Sequence, residues 1–348
     1  MLFPKLYESS HEFRPSIQRK VGLLIFGGAF MGMLLINFAP DQFGNFLEAK
    51  SGMGSWSWAK FIDKGIMSIF FFAAGMEIRH EFFHGHLTDK DTRKLPLYCA
   101  IGGVVAPLIL MAIFGGISSI LSIDNSGDVF SGLPIPVATD IVFALAFLSF
   151  FATRIPKSLR AFVLAFAVID DLIGLCMLFV LQGSISPTAV AVVVGFCIPT
   201  RINTYQLRSH LLAKLLIINS FFVLPIFALA NGGVSFKGVS ISEIASQPLF
   251  WAIIVSQFVG KIIGIYMVSL FAVRSPKLSI PRGCTKQHMM VAASVAAIGF
   301  TLSLYLAKAA FEGDYSALLV AKLGVVAATL IAIGYAVAIT RRLPVIKP

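Results

Sequence analysis

Asp140, Asp170, Asp171 and Lys261 each lie in the middle of an apolar run long enough to cross a bilayer. An ionisable group at the centre of a membrane helix costs about 2.5–3.5 kcal/mol on the insertion scale, so four unpaired groups would cost on the order of 10 kcal/mol. A single Asp–Lys pair would serve to lock helix packing. Two carboxylates beyond that pair have no such use, and a surplus of negative charge at the membrane midplane is what a cation site needs. Asp170 and Asp171 are sequence neighbours, hence about 100° apart around a helix. One can turn to Lys261 while the other faces an ion path.

A second pattern invites another chemistry. His80-Glu81-Phe82-Phe83-His84 fits H-E-x-x-H, which on a helix face can bind zinc with the glutamate as base. It falls at the end of an apolar run, followed by Gly85, His86 and a charged loop, so a solvated helix end is the simpler reading. The four cysteines (Cys99, Cys176, Cys197, Cys284) show no C-x-x-C pairing and read as free apolar thiols.

The elements that must carry the four midplane charges are membrane spans. Of the 348 residues 57% are hydrophobic and 13% charged, about half the charged share of a soluble domain. This composition excludes disorder, nucleic-acid binding and an ordinary cytosolic enzyme. Ten stretches approach the roughly 20 apolar residues a span requires: 21–40, 60–78, 95–121, 129–151, 158–182, 187–200, 211–230, 249–273, 287–309 and 317–340. With the N-terminus inside, 21 of the 28 Lys and Arg fall in cytoplasmic segments, as positive-inside orientation demands. Asp41, Glu48, Asp124, Asp128, Glu243, Glu312 and Asp314 fall outside. The expectation is a single polytopic membrane domain over 1–348 with both termini cytoplasmic, its net charge of +11 reflecting topology and no acidic partner.

Asp140 follows Leu133-Pro134-Ile135-Pro136-Val137-Ala138-Thr139. Proline removes a backbone donor, so the fourth span should break near 134–139, its freed carbonyls lining a cavity or buried in protein. The ninth span has a counterpart in Ala297-Ile298-Gly299-Phe300-Thr301, with Gly299 the candidate break. Spans three to five and eight to ten run in opposite directions, each triplet with its broken span in the middle. That is the pattern of an inverted repeat with a site where broken helices cross.

The stretches Phe70–Glu77, Pro136–Leu145, Ala167–Leu172, Leu224–Val234, Gly260–Gly264 and Ile298–Ser303 together resemble the NhaA-type sodium/proton antiporters of bacterial inner membranes. The resemblance implies an all-α fold with an inverted-repeat core (spans about 95–182 and 249–340) beside an interface and dimerisation part (about 21–78 and 187–230), which leaves a homodimer open. It implies that Asp171 binds Na⁺ and carries the proton, and that Asp170 pairs with Lys261. Asp140 and Lys261 would offset the dipole ends of the broken spans, and Thr139 would lend an oxygen. The partners would be Na⁺, H⁺ and the bilayer, with no cofactor and no enzymatic reaction. Two departures stand out. About two spans of the family pattern are missing after Ile169-Asp170-Asp171-Leu172. From Arg201 to Asn231 there is no acid where the family tends to place a pH-sensing one, Lys64 replaces another acid, and Arg79-His80-Glu81 replaces a more basic run. The alternatives are a degenerate homologue that no longer transports, a transporter of another small ion or an organic anion, and an intramembrane zinc protease.

Overall fold

The computed structural model describes residues 15–52, 55–84, 93–121, 126–182, 187–198, 205–235, 240–274 and 278–346. Expectations placed on the first fourteen residues, on the loop charges Lys90, Asp124, Arg201, Lys237 and Lys277, and on His86 lie outside the described residues, as does the side chain of His84. The described residues are helical, without a strand; one isolated bridge joins Lys50 and Ser57.

Among the described residues five helices are long and apolar enough to cross a membrane: Pro15–Phe38, Lys94–Ile120, Leu211–Asn231, Pro248–Ala272 and Tyr315–Arg342. The pair Lys286–Ala296 and Thr301–Ala310, bent by 43° at its break, makes a sixth when counted as one span. Length and composition therefore establish a multi-pass membrane protein but do not by themselves reach the ten crossings read from the sequence. Shorter apolar helices run over Ile135–Phe150 and Pro187–Cys197.

The chain divides into two compact units. The first comprises Met1–Phe82 and Gln182–Lys237. In it, Pro15–Phe38 packs on Leu224–Asn231, and the Asn37 amide donates to the Val234 carbonyl at 2.8 Å. A π-type turn over Phe61–Ile66 carries the buried Asp63, which accepts from the Asn231 amide at 2.9 Å.

The second unit comprises Phe83–Leu181 and Gly238–Pro348 and holds all four midplane charges. Its tightest crossing joins Lys94–Ile120 to Lys261–Arg274. At that crossing a Cβ on Gly264 would lie 2.0 Å from the Gly102 carbonyl oxygen. Without a hydrophobic drive between helices in lipid, such backbone approach is what small residues provide.

Tyr315–Arg342 packs on Pro248–Ile254 and Lys286–Ala296. It is started by Asp314, whose carboxylate accepts from the backbone N–H groups of Ser316 and Ala317, both at 3.0 Å. The Ala317 N–H, followed by the Ser316 hydroxyl, holds the Asp314 carboxyl below its ordinary range. A depressed carboxylate stabilises the fold above its unfolded-state value, and that contribution is lost as pH falls through its folded value. Asp314→Ala should lower the melting temperature near neutral pH, and the gap to the wild type should close on acidification. Melts at a series of pH values check this, with Asp314→Asn, which keeps a cap, as the control.

Candidate functional site

The first broken span is set by its prolines. Ser126–Ser131 ends in a turn, a single 3₁₀ turn covers Ile135–Val137, and Ala138 continues extended with φ −67° and ψ 142°. Pro134 caps the 3₁₀ turn and Pro136 lies within it, and neither offers an N–H to carry an α-helix onward. The chain resumes as Ile141–Phe150, with Asp140 at its N-cap accepting from the Phe143 N–H at 3.2 Å.

The second broken span begins at a capping box between Thr285 and His288, runs as Lys286–Ala296, stops, and restarts as Thr301–Ala310. The two breaks touch. A Cβ on Gly299 would lie 2.4 Å from the Ala138 carbonyl oxygen and 2.7 Å from Ser303 Oγ. Glycine is required because the first obstacle is backbone, which cannot step aside. Gly299→Ala should force the crossing apart and cost about 1–3 kcal/mol, the usual penalty of overpacking. Gly334→Ala meets nothing within 4 Å and should be tolerated. Thermal melts of both variants in detergent compare the two.

At the crossing Asp140 joins the N-termini of two half-helices. Its Oδ2 accepts from the Thr301 N–H at 3.1 Å and the Thr301 hydroxyl at 2.6 Å, while Oδ1 faces Phe143 of its own helix. Each helix N-terminus carries about half a positive charge, so the two together offset one carboxylate. The rings of Phe143 and Phe300 meet edge to face at 5.8 Å across the same point.

Lys261 serves the opposite polarity. It is fully buried, and its Nζ donates to Asp170 Oδ2 at 2.9 Å and to Thr139 Oγ1. The Thr139 hydroxyl in turn donates to the Ala296 carbonyl at 2.9 Å, at the C-terminal end of Lys286–Ala296. The ammonium thus faces one carboxylate and, through Thr139, the negative end of a half-helix.

The carbonyls at the second break all find donors. The Ala296 carbonyl accepts from Thr139, Ala297 from the Gln257 amide at 3.3 Å, and Ile298 from the Asp140 N–H at 2.9 Å. The Gly299 carbonyl accepts from Gln257 at 3.1 Å and Thr329 at 3.3 Å. In lipid, carbonyls freed by a break must find donors within the protein, and here each does. Sequence reasoning missed Gln257 and Thr329. An uncharged amide raises no alarm in an apolar run, although its place one turn before Lys261 was a signal.

Asp170 is fully buried and Asp171 nearly so, on Lys157–Gln182. Asp170 takes the lysine, and the charge of Asp171 also reaches Lys261. The structure therefore brings Thr139, Asp170 and Lys261 into direct contact, with Asp140 beside Thr139 in the chain. It does not gather the three carboxylates on one point: among the described residues no three His, Cys, Asp or Glu side chains form a metal-holding group. His80 and Glu81 belong to no such group among the described residues, and the side chain of His84 lies outside them.

Comparison with known proteins shows what this arrangement belongs to. The family described as Na⁺/H⁺ antiporter 1 matches residues 15–180 and 174–339. The chain belongs to that family. Among its relatives, the Na⁺/H⁺ antiporter NhaA of Aliivibrio fischeri (strain MJ11) is 32% identical over 346 positions, covering 84% of this chain and 86% of the relative. That of Tolumonas auensis is 31% identical over 366 positions, covering 89% of each. That of Actinobacillus pleuropneumoniae serotype 7 is 29% identical over 373, covering 90% and 92%. The first alignment spans 346 positions but only 84% of the 348 residues here, so about fifty positions carry no residue of this chain. That is room for two membrane helices at about 20 residues each. The two matched stretches overlap at 174–180. Within the antiporter family the chain is thus a shortened member, a transporter with no enzymatic role.

Proposed function

We propose that the chain exchanges cytoplasmic Na⁺ or Li⁺ for external H⁺ across a bacterial inner membrane, with both termini in the cytoplasm. Asp171 is the carboxylate that carries cation and proton in turn. The unit of 83–181 and 238–348 is the transport core.

One observation carries this reading: three buried carboxylates share one unit with a single buried ammonium and two broken helices. Lys261 balances Asp170, and two helix N-termini balance Asp140. Three carboxylates against one ammonium give the core a surplus of negative charge, and the exchange is assigned to Asp171, whose charge also reaches Lys261. A carboxylate in a poorly solvated site is costly as a bare anion, so it takes Na⁺ or H⁺, and a single carboxylate takes one at a time. Alternating exposure of that carboxylate then couples inward proton flow to outward cation flow, as broken-helix transporters do around a midplane site.

The test is ΔpH quenching in everted vesicles from an antiporter-deficient bacterial strain. Added Na⁺ should dequench the probe when the wild-type chain is present and leave it quenched in vesicles without it. Wild-type vesicles that stay quenched with both Na⁺ and Li⁺ would remove the exchanger reading.

A further inference from the structure

Gln257 lies on the π-type segment Val255–Gly260, one turn before Lys261, and is fully buried. Its Nε2 faces the carbonyl oxygens of Ala297 and Gly299 at 3.3 and 3.1 Å, and Thr329 Oγ1 at 3.4 Å. Carbonyl oxygens only accept, so the NH₂ group must face them, which fixes the orientation of the amide. π-type turns shift the side chains that follow them and recur at functional sites. This one places Gln257 and Lys261 on the same crossing, each buried, each serving carbonyls of the second break directly or through Thr139.

We propose that Gln257 is a positioning residue for cation exchange: by holding the Ala297 and Gly299 carbonyls it reserves Lys261 for Asp170. The inference rests on the exchange reading above. Without the Gln257 amide, both carbonyls lose a donor in a dry interior, and a buried unsatisfied acceptor draws in whatever donor can reach it. The strongest donor on that stretch of helix is the Lys261 ammonium, one turn on. Each hydrogen bond Lys261 gives to the break is one withdrawn from Asp170. With Lys261 drawn toward the break, Asp170 and the neighbouring Asp171 no longer keep the arrangement that receives Na⁺. Cation binding weakens although neither acid has been altered. Thr329 is a lesser partner in the same role, because its hydroxyl supports the Gly299 oxygen alone.

The test uses the full chain in proteoliposomes, with Na⁺ as the probe. Gln257→Met keeps the volume and removes both donors, and Thr329→Val removes one. Gln257→Met should raise the apparent KM for Na⁺ about tenfold, the scale on which orphaning one buried carbonyl acts, with a smaller change in maximal rate. Thr329→Val should raise it less. The double variant should fall short of the product of the two, because both donors serve one oxygen. The Na⁺-induced rise in melting temperature should shrink in the same order, which reads binding without turnover. A Gln257→Met protein that melts lower but keeps the wild-type KM and Na⁺ response overturns the proposal. If that variant does not fold, an unchanged KM and Na⁺ response in Thr329→Val overturns it. Wild-type liposomes that show no Na⁺-dependent exchange sink the exchange reading and this inference with it. Wild-type exchange with insensitive variants sinks this inference alone.

Discussion

Asp171→Asn is expected to reduce Na⁺-driven dequenching to the level of vesicles that lack the protein. Asparagine matches aspartate in size, so the helix Lys157–Gln182 and its packing should survive. What it removes, on the exchange proposed above, is the charge that would hold a cation and the oxygen that would take a proton. Asp171 is nearly buried beside an Asp170 already committed to Lys261. A neutral residue there removes one of the three carboxylates that outnumber the buried ammonium. The variant should appear in the membrane at wild-type amounts and melt near the wild-type temperature, so that loss of exchange is a loss of chemistry. Normal exchange by Asp171→Asn would show that the carrier is another group.

Lys261→Ala should damage the fold as well as the exchange. It leaves Asp170 fully buried without its ammonium, and takes from the Thr139 hydroxyl the donor it accepts from. Removing one partner of a buried pair costs about 3–5 kcal/mol, much of it from the charge left behind. The alanine also leaves a cavity where the lysine stem was packed. Melting curves in detergent should show the loss. Lys261→Ala combined with Asp170→Asn should recover much of it, because the stranded charge is gone. A double variant no more stable than Lys261→Ala would mean that the cost lies in packing alone.

The two predictions rest on parts of the molecule that the sequence disclosed to different degrees. The spans around the site are legible to within a few residues: 158–182 was expected and Lys157–Gln182 is found, and 317–340 corresponds to Tyr315–Arg342. Long apolar runs bounded by charge leave little freedom. The break at Pro134 and Pro136 is legible because proline acts locally, through a missing donor. Gly299 is legible only by symmetry with it, since a lone glycine in a membrane helix more often marks close packing, as Gly264 does against Gly102. The π-type turns over Phe61–Ile66, Asn219–Val223 and Val255–Gly260 were not foreseen. A single residue added to a turn leaves no trace in hydrophobic period. Gln257 and Thr329 went unseen for a related reason: their work is to satisfy a particular backbone, and that backbone is known only once the chain is folded.

The complete pairing of the carbonyls from Ala296 to Gly299 bears on which ions the protein can prefer. Each peptide oxygen of that break already accepts a hydrogen bond, so its pull on an arriving alkali ion is weakened. In the proposed site the ion exchanges its hydration shell chiefly against a carboxylate and the water that follows it in. A carboxylate is a ligand of high field strength, and such ligands reward small radius over ease of dehydration. Lithium and sodium should therefore be held more firmly than potassium, through the charge density of one acid group and without a cage cut to the diameter of the ion.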